Sequence, residues 1–163
     1  ITNNHMVYIY LPLHESIGVG DHLQFDRVRV MLTTGAPTSL MAVIYELTAG
    51  ATLGITISYS NSSVVASTIS PQPIPTTATD MRFYDIPIPL TTITDVSKDY
   101  FLGIKVDGGS NVTFATIGSS GFPYTQSAYA YRGNNNYAPS TFPGSMDNIA
   151  IAYIPYHYRL YKA

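Results

Sequence analysis

The sequence predicts an all-β protein: an antiparallel β-sandwich, jelly-roll-like, with about eight to ten strands and little or no helix. Short segments rich in β-branched and aromatic residues recur along the chain, separated by Gly, Pro, Asn and Ser. No segment sustains the apolar periodicity of an amphipathic helix. A length of 163 residues favours one domain with a core of its own, so residues 1–163 are interpreted as a single sandwich.

Two apolar segments in the first third of the chain are typical of strands. Residues 5–13 combine aromatic and β-branched side chains, and Pro12 and Gly18 end the run. Residues 40–48 follow a turn and carry apolar residues at both alternating positions. Burial on both faces is typical of an interior strand, which predicts that residues 40–48 lie at the centre of a sheet.

The strand predicted over residues 23–33 changes phase along its length. Leu23 and Phe25 share one face of a regular strand, whereas Val28 and the apolar residues after it share the other. Because a strand alternates faces strictly, we expect a bulge or bend near residues 26–27.

The middle of the chain predicts a hairpin and an edge strand. Residues 53–59 alternate cleanly, and residues 64–69 can return beside them. A proline-punctuated segment then favours a connection between the sheets. Residues 81–90 resume the alternation, and Pro87 and Pro89 cannot donate backbone hydrogen bonds, which favours an edge position.

The second half of the chain completes the set of strands. Residues 91–98 are interpreted as a short helical turn. Residues 100–106 bury one face, and a Gly- and Asn-rich turn predicts that residues 112–117 return antiparallel beside them. Residues 128–132 form a possible short strand. Residues 149–161 close the chain, and the first and last strands are candidates to pair as neighbours.

Composition excludes several classes of partner. The formal net charge is −2, and no run of Lys or Arg occurs, so neither nucleic acid nor a membrane surface is expected as a partner. No stretch reaches membrane-spanning length without a polar break. The chain lacks cysteine and begins with Ile1, and we expect it to be the C-terminal fragment of a longer protein.

Residues with catalytic or metal-binding chemistry are scattered. The four histidines, which lack the spacing of metal ligands, are His5, His14, His22 and His157. The acidic residues are dispersed, and no nucleophile motif occurs. Asp107 and Asn111 could contribute oxygen atoms to a calcium site, but a plain turn is the favoured interpretation. We therefore expect no catalytic residue, no metal site and no cofactor.

The most distinctive stretch of the chain is residues 129–143, which are polar, aromatic and rich in turn residues. Aromatic rings stack on the apolar faces of sugars, and amide and guanidinium groups hydrogen-bond their hydroxyls. The stretch is predicted to be a loop that binds a glycan; the alternative is an ordered loop that packs on its own domain or on a neighbouring subunit. The predicted ligand-binding residues are Tyr124, Tyr131, Arg132, Asn134, Asn135, Asn136 and Tyr137.

Four segments carry a family resemblance: residues 23–30, 40–46, 100–106 and 128–133. Their order resembles that of jelly-roll, carbohydrate-binding-module-like domains at the C-terminal ends of bacteriophage tail fibres and tailspikes. The resemblance implies a domain displayed on the virion or otherwise extracellular, often a homotrimer, that contacts a surface glycan of a bacterial host. Similar segments occur in modules of secreted bacterial glycan-degrading enzymes.

Three functions are compatible with these observations. The first is a non-catalytic glycan- or host-receptor-binding module of a phage tail fibre or tailspike. The second is a structural domain that trimerises or caps the fibre. The third is a carbohydrate-binding module of a secreted bacterial glycan-active enzyme.

Overall fold

Every regular element that the structure describes is a β-strand. The computed structural model describes residues 5–11, 22–34, 39–47, 62–67, 72–73, 82–95, 98–107, 113–114, 130–134, 147–148 and 159–161. The strands are β1 (His5–Leu11), β2 (His22–Thr34), β3 (Ser39–Leu47), β4 (Ser62–Ser67), β5 (Gln72–Pro73), β6 (Arg82–Ile93), β7 (Asp99–Asp107), β8 (Thr113–Phe114), β9 (Ala130–Asn134), β10 (Asp147–Asn148) and β11 (Arg159–Tyr161).

These strands form two antiparallel sheets that pack together as an all-β sandwich, which confirms the predicted fold class. The first sheet has the order β10-β9-β1-β7-β3-β4, and β5 also pairs with β3. The second sheet has the order β11-β2-β6, and β8 also pairs with β2.

The core lies between the two sheets and follows directly from strand alternation. Every second residue of the long strands is buried there, and each such aliphatic side chain contributes about 1.5–3 kcal/mol to folding. The first sheet contributes Val7, Ile9, Leu11, Leu40, Ala42, Ile44, Tyr100, Leu102 and Ile104. The second sheet contributes Leu23, Phe25, Val28, Val30, Leu32, Ile86, Ile88 and Ile93.

The central strands of the first sheet are buried on their other face too. Tyr8, Val43, Tyr45 and Phe101 alternate with the core residues, and all four are fully buried. β3 lies between β7 and β4. The prediction of a central strand over residues 40–48 is therefore confirmed.

The phase change in β2 is accommodated by an irregular register with β6. Phe25 pairs with Thr91, and the next recorded pair joins Arg27 to Pro87, so residues 88–90 of β6 face a single residue of β2. The predicted bulge near residues 26–27 is confirmed. It lets both Phe25 and Val28 point into the core.

Two predicted pairings are wrong. Residues 113–114 do not return beside β7, because both edges of β7 are occupied by β1 and β3; they pair with β2 in the other sheet. The first strand does not pair with the last one, because β1 lies between β7 and β9. β11 pairs instead with β2.

The helical turn predicted over residues 91–98 is also wrong where the chain is described. β6 continues to Ile93, which pairs with Leu23 and is buried in the core. Burial of Ile93 outweighs the local preference for a turn. The edge position of β6 is confirmed among the described strands, since β6 pairs with β2 alone. Residues 53–59 and 149–158 lie outside the described residues.

Candidate functional site

The predicted binding stretch contains β9 at residues 130–134, which overlaps the short strand predicted over residues 128–132. β9 pairs on both edges: Tyr131 lies opposite Tyr8 of β1 and Asn148 of β10. Arg132 lies opposite Val7 on one side and Asp147 on the other. The remaining predicted binding residues, Tyr124, Asn135, Asn136 and Tyr137, lie outside the described residues.

The register of β9 divides the predicted binding residues between two faces. Position 131 shares a face with Tyr8, which lies on the side of the first sheet away from the core. Positions 132 and 134 pair with Val7 and His5 and belong to the opposite face. Backbone positions 131 and 132 therefore belong to opposite faces of the first sheet.

A polar and aromatic surface lies instead on the outer side of the second sheet. Its residues alternate with core residues of β2 and β6 and so point away from the first sheet. Three cross-strand pairs form it: Met31 with Phe83, Arg29 with Asp85, and Arg27 with Pro87. We call this surface the β2–β6 face.

The centre of the β2–β6 face is a two-point ion pair. The Arg29 guanidinium donates from Nε and Nη2 to the two carboxylate oxygens of Asp85, over 2.7 and 2.8 Å. This hydrogen bond, together with the charge of Asp85, raises the pKa of Arg29. The side chains remain 50% and 38% exposed. An exposed ion pair adds little to stability, but the planar contact fixes the orientation of both groups.

Arg27 extends this network along the face. Its Nε donates to Asp26 Oδ1 over 3.2 Å, and its Nη1 lies 3.8 Å from Asp85 Oδ2. Two guanidinium groups thus face two carboxylates, and their formal charges cancel.

An apolar strip runs beside the charged groups. Phe83 is 61% exposed, and Pro87, two positions beyond Asp85, is also exposed. Residues two apart on one face of a strand are separated by about 6.8 Å, so residues 83–87 of β6 span about 14 Å. The β2–β6 face therefore presents three features in a row: the phenyl ring of Phe83, the Arg29–Asp85 donor–acceptor pair and the pyrrolidine ring of Pro87.

The sequence carries a signal for this surface in its alternation of charged and apolar residues, which no catalytic or metal-binding motif reveals. The charged residues Arg27 and Arg29 alternate with Val28 and Val30 in β2. In β6, which pairs with β2, Asp85 is followed by the apolar residue Ile86. Alternation identifies the outward positions, but only the pairing register shows that Arg29 and Asp85 are opposite each other.

A second polar cluster joins β3 to the start of β7. Lys98 Nζ donates to Glu46 Oε1 over 2.7 Å, and the Tyr100 hydroxyl donates to the Asp95 carbonyl oxygen over 2.7 Å. The hydrogen bond with Glu46 raises the pKa of Lys98, and burial raises the pKa of Tyr100. These contacts attach the segment before β7 to the neighbouring strand, which is a structural role.

The described part of the chain contains no group of three His, Cys, Asp or Glu side chains arranged to hold a metal ion. None of the described elements is a helix with the length and hydropathy needed to cross a membrane.

Comparison with known proteins gives no match: no family model, curated protein or solved structure matches this chain. The resemblance to phage fibre and tailspike domains therefore stays a prediction.

Proposed function

We propose that this domain is a non-catalytic module that binds a surface glycan of a bacterial host, as the receptor-binding part of a phage tail fibre or tailspike. The observation that carries the proposal is the β2–β6 face, where an exposed aromatic ring lies beside an oriented guanidinium–carboxylate pair. The order of strand motifs in the sequence supports placement on a virion.

The chemistry of this surface suits a sugar. An aromatic ring offers a flat apolar area that loses little conformational entropy on binding. A sugar hydroxyl both donates and accepts hydrogen bonds, and adjacent Arg29 and Asp85 offer a donor and an acceptor. The strands that carry these groups are anchored by the core residues Val28, Val30 and Ile86, so the surface is organised before the ligand arrives.

The test is direct binding without cleavage. Labelled protein is applied to an array of purified bacterial capsular and O-antigen polysaccharides, and positive glycans are measured by isothermal titration calorimetry. We expect saturable binding with no release of reducing ends. Absence of binding to every polysaccharide would contradict the proposal, as would reducing-end release that is lost in an Asp85→Asn variant.

A second candidate function is assembly of the fibre as a homotrimer. Leu90 is 69% exposed on β6, which is an edge strand among the described strands, and an exposed aliphatic side chain on such an edge favours contact with another chain. Light scattering of the purified domain tests this alternative, and a monomer over the accessible concentration range would contradict it. A carbohydrate-binding module of a secreted enzyme would use the same surface chemistry; the residues encoded before Ile1 distinguish it from a virion protein.

A further inference from the structure

We infer that the β2–β6 face is the glycan-binding site, and that its ligand is an uncharged oligosaccharide lying along β6. Phe83 stacks on one sugar ring, and the Arg29–Asp85 pair hydrogen-bonds the hydroxyls of the next. The inference rests on the proposed function and adds to it the class of glycan and the role of each residue of the face.

Charge balance determines the class of glycan. The positive charges of Arg27 and Arg29 are opposed by Asp26 and Asp85 at 3.2 and 2.7 Å. The carboxylate of an acidic sugar would have to displace Asp85 from Arg29 and would be repelled by both aspartates. A neutral hydroxyl needs no such displacement.

The ion pair keeps hydrogen-bonding capacity for a ligand. A guanidinium has five N–H donors, and the contact with Asp85 uses one on Nε and one on Nη2. Half of the Arg29 side-chain surface is open to solvent. Arg29 and Asp85 are held side by side, so a hydroxyl can meet a donor and an acceptor without reorganising either.

The dimensions of the face favour several sugars over one. Phe83, Asp85 and Pro87 occupy successive outward positions of β6, and the row is about 14 Å long. This row exceeds the size of a single sugar ring, so an oligosaccharide can contact the phenyl ring, the ion pair and the pyrrolidine ring together.

The experiment compares four variants with the wild-type domain on the same polysaccharide array, sorted into neutral and acidic glycans. Phe83→Ala removes the stacking surface, Arg29→Lys keeps the charge but loses the two-point contact, and Asp85→Asn removes the acceptor charge. Val64→Ala is the matched control, since Val64 is an exposed apolar residue of β4 in the other sheet. Urea unfolding and light scattering establish that each variant keeps the fold and oligomeric state of the wild type.

We expect the wild type to bind neutral glycans, and Phe83→Ala, Arg29→Lys and Asp85→Asn each to weaken that binding about tenfold, while Val64→Ala leaves it unchanged. Wild-type affinity in all three of Phe83→Ala, Arg29→Lys and Asp85→Asn would overturn the assignment of the β2–β6 face as the binding site. Glycan binding by the domain, the proposed function, would still stand. Binding of acidic glycans alone would overturn the assignment of ligand class. A change of oligomeric state in Phe83→Ala would show that the face binds a second copy of the chain, which also overturns the inference.

Discussion

At Gly103 the absence of a side chain allows three others to meet. A Cβ at this position would lie 2.9 Å from both Met6 Cε and Tyr45 Cε2, and 3.4 Å from Tyr8 Cε1. The Tyr8 and Tyr45 rings are 5.9 Å apart at an angle of 48°, and the Tyr8 hydroxyl donates to Met6 Sδ over 3.3 Å. The glycine thus admits an aromatic cluster against the backbone of β7.

Gly103→Ala is expected to destabilise the domain by about 1–3 kcal/mol, because the added methyl group overpacks a buried cluster. The measurement is the urea unfolding midpoint at neutral pH. Ser63→Ala, an exposed strand position in β4, is the control and should change the midpoint little. An unchanged midpoint in Gly103→Ala would show that Met6 and the rings can move aside without loss.

Two tyrosines provide a matched test of buried hydroxyl groups. The Tyr100 hydroxyl donates to the Asp95 carbonyl oxygen, whereas the buried Tyr84 hydroxyl has no hydrogen-bond partner among the described residues. Tyr100→Phe should cost about 1–2 kcal/mol, and Tyr84→Phe should be neutral or stabilise by up to about 1 kcal/mol. Thermal unfolding of both variants measures the difference. The opposite order of stability would contradict the assigned partners.

At the scale of the element, β6 shows how one strand combines a core face, an outer face and an edge. Ile86 and Ile88 enter the core, while Phe83 and Pro87 face outward. The bulge opposite β2 then resets the alternation, so that Ile93 is again buried. The prolines fit this strand because no described strand pairs with its outer edge.

Because the bulge interrupts the alternation of β6, truncation is expected to have unequal effects at two aliphatic positions that a regular strand would place on one face. Ile86→Ala removes a fully buried side chain and should cost about 2–5 kcal/mol. Leu90→Ala, at an exposed position four residues on, should stay within about 0.5 kcal/mol of the wild type. Urea unfolding of the two variants provides the comparison. Equal losses would contradict the assigned faces of β6.

At the scale of the whole molecule, the described residues of the first sheet are more deeply buried than those of the second. The first sheet packs on the core through one face, and Tyr8, Tyr45 and Phe101 are buried on the other. The outer side of the second sheet is exposed and carries the ion pairs of Arg27 and Arg29 with Asp85. This asymmetry leaves the β2–β6 face available to a ligand.

Stability should fall at high pH. The hydrogen bond with Glu46 raises the pKa of Lys98, and burial raises the pKa of Tyr45 and Tyr100. A raised pKa means that the folded state holds its proton where the unfolded state has lost it, so the stabilisation is complete below about pH 10 and is lost above it.

The measurement is the urea midpoint at pH 8 and at pH 11. We expect a lower midpoint at pH 11, and a smaller decrease in Tyr100→Phe, which removes one of the titrating groups. A midpoint that stays constant or rises with pH would be inconsistent with these pKa shifts.

The sequence by itself determined the features that depend on local alternation. It predicted the all-β sandwich, the central position of β3, the bulge after Phe25 and the edge position of β6 with its two prolines. Each of these follows from which neighbouring residues share a face, and a strand imposes that relation wherever it lies in the fold.

Only the tertiary structure decided which strands are neighbours. β8 and β11 pair with β2, and β9 lies between β1 and β10, so that position 132 lies opposite the core residue Val7. The register also sets Arg29 beside Asp85. The physical reason is that each strand has two edges, and the strand that occupies each edge depends on how distant segments pack over the shared core, which no local pattern encodes.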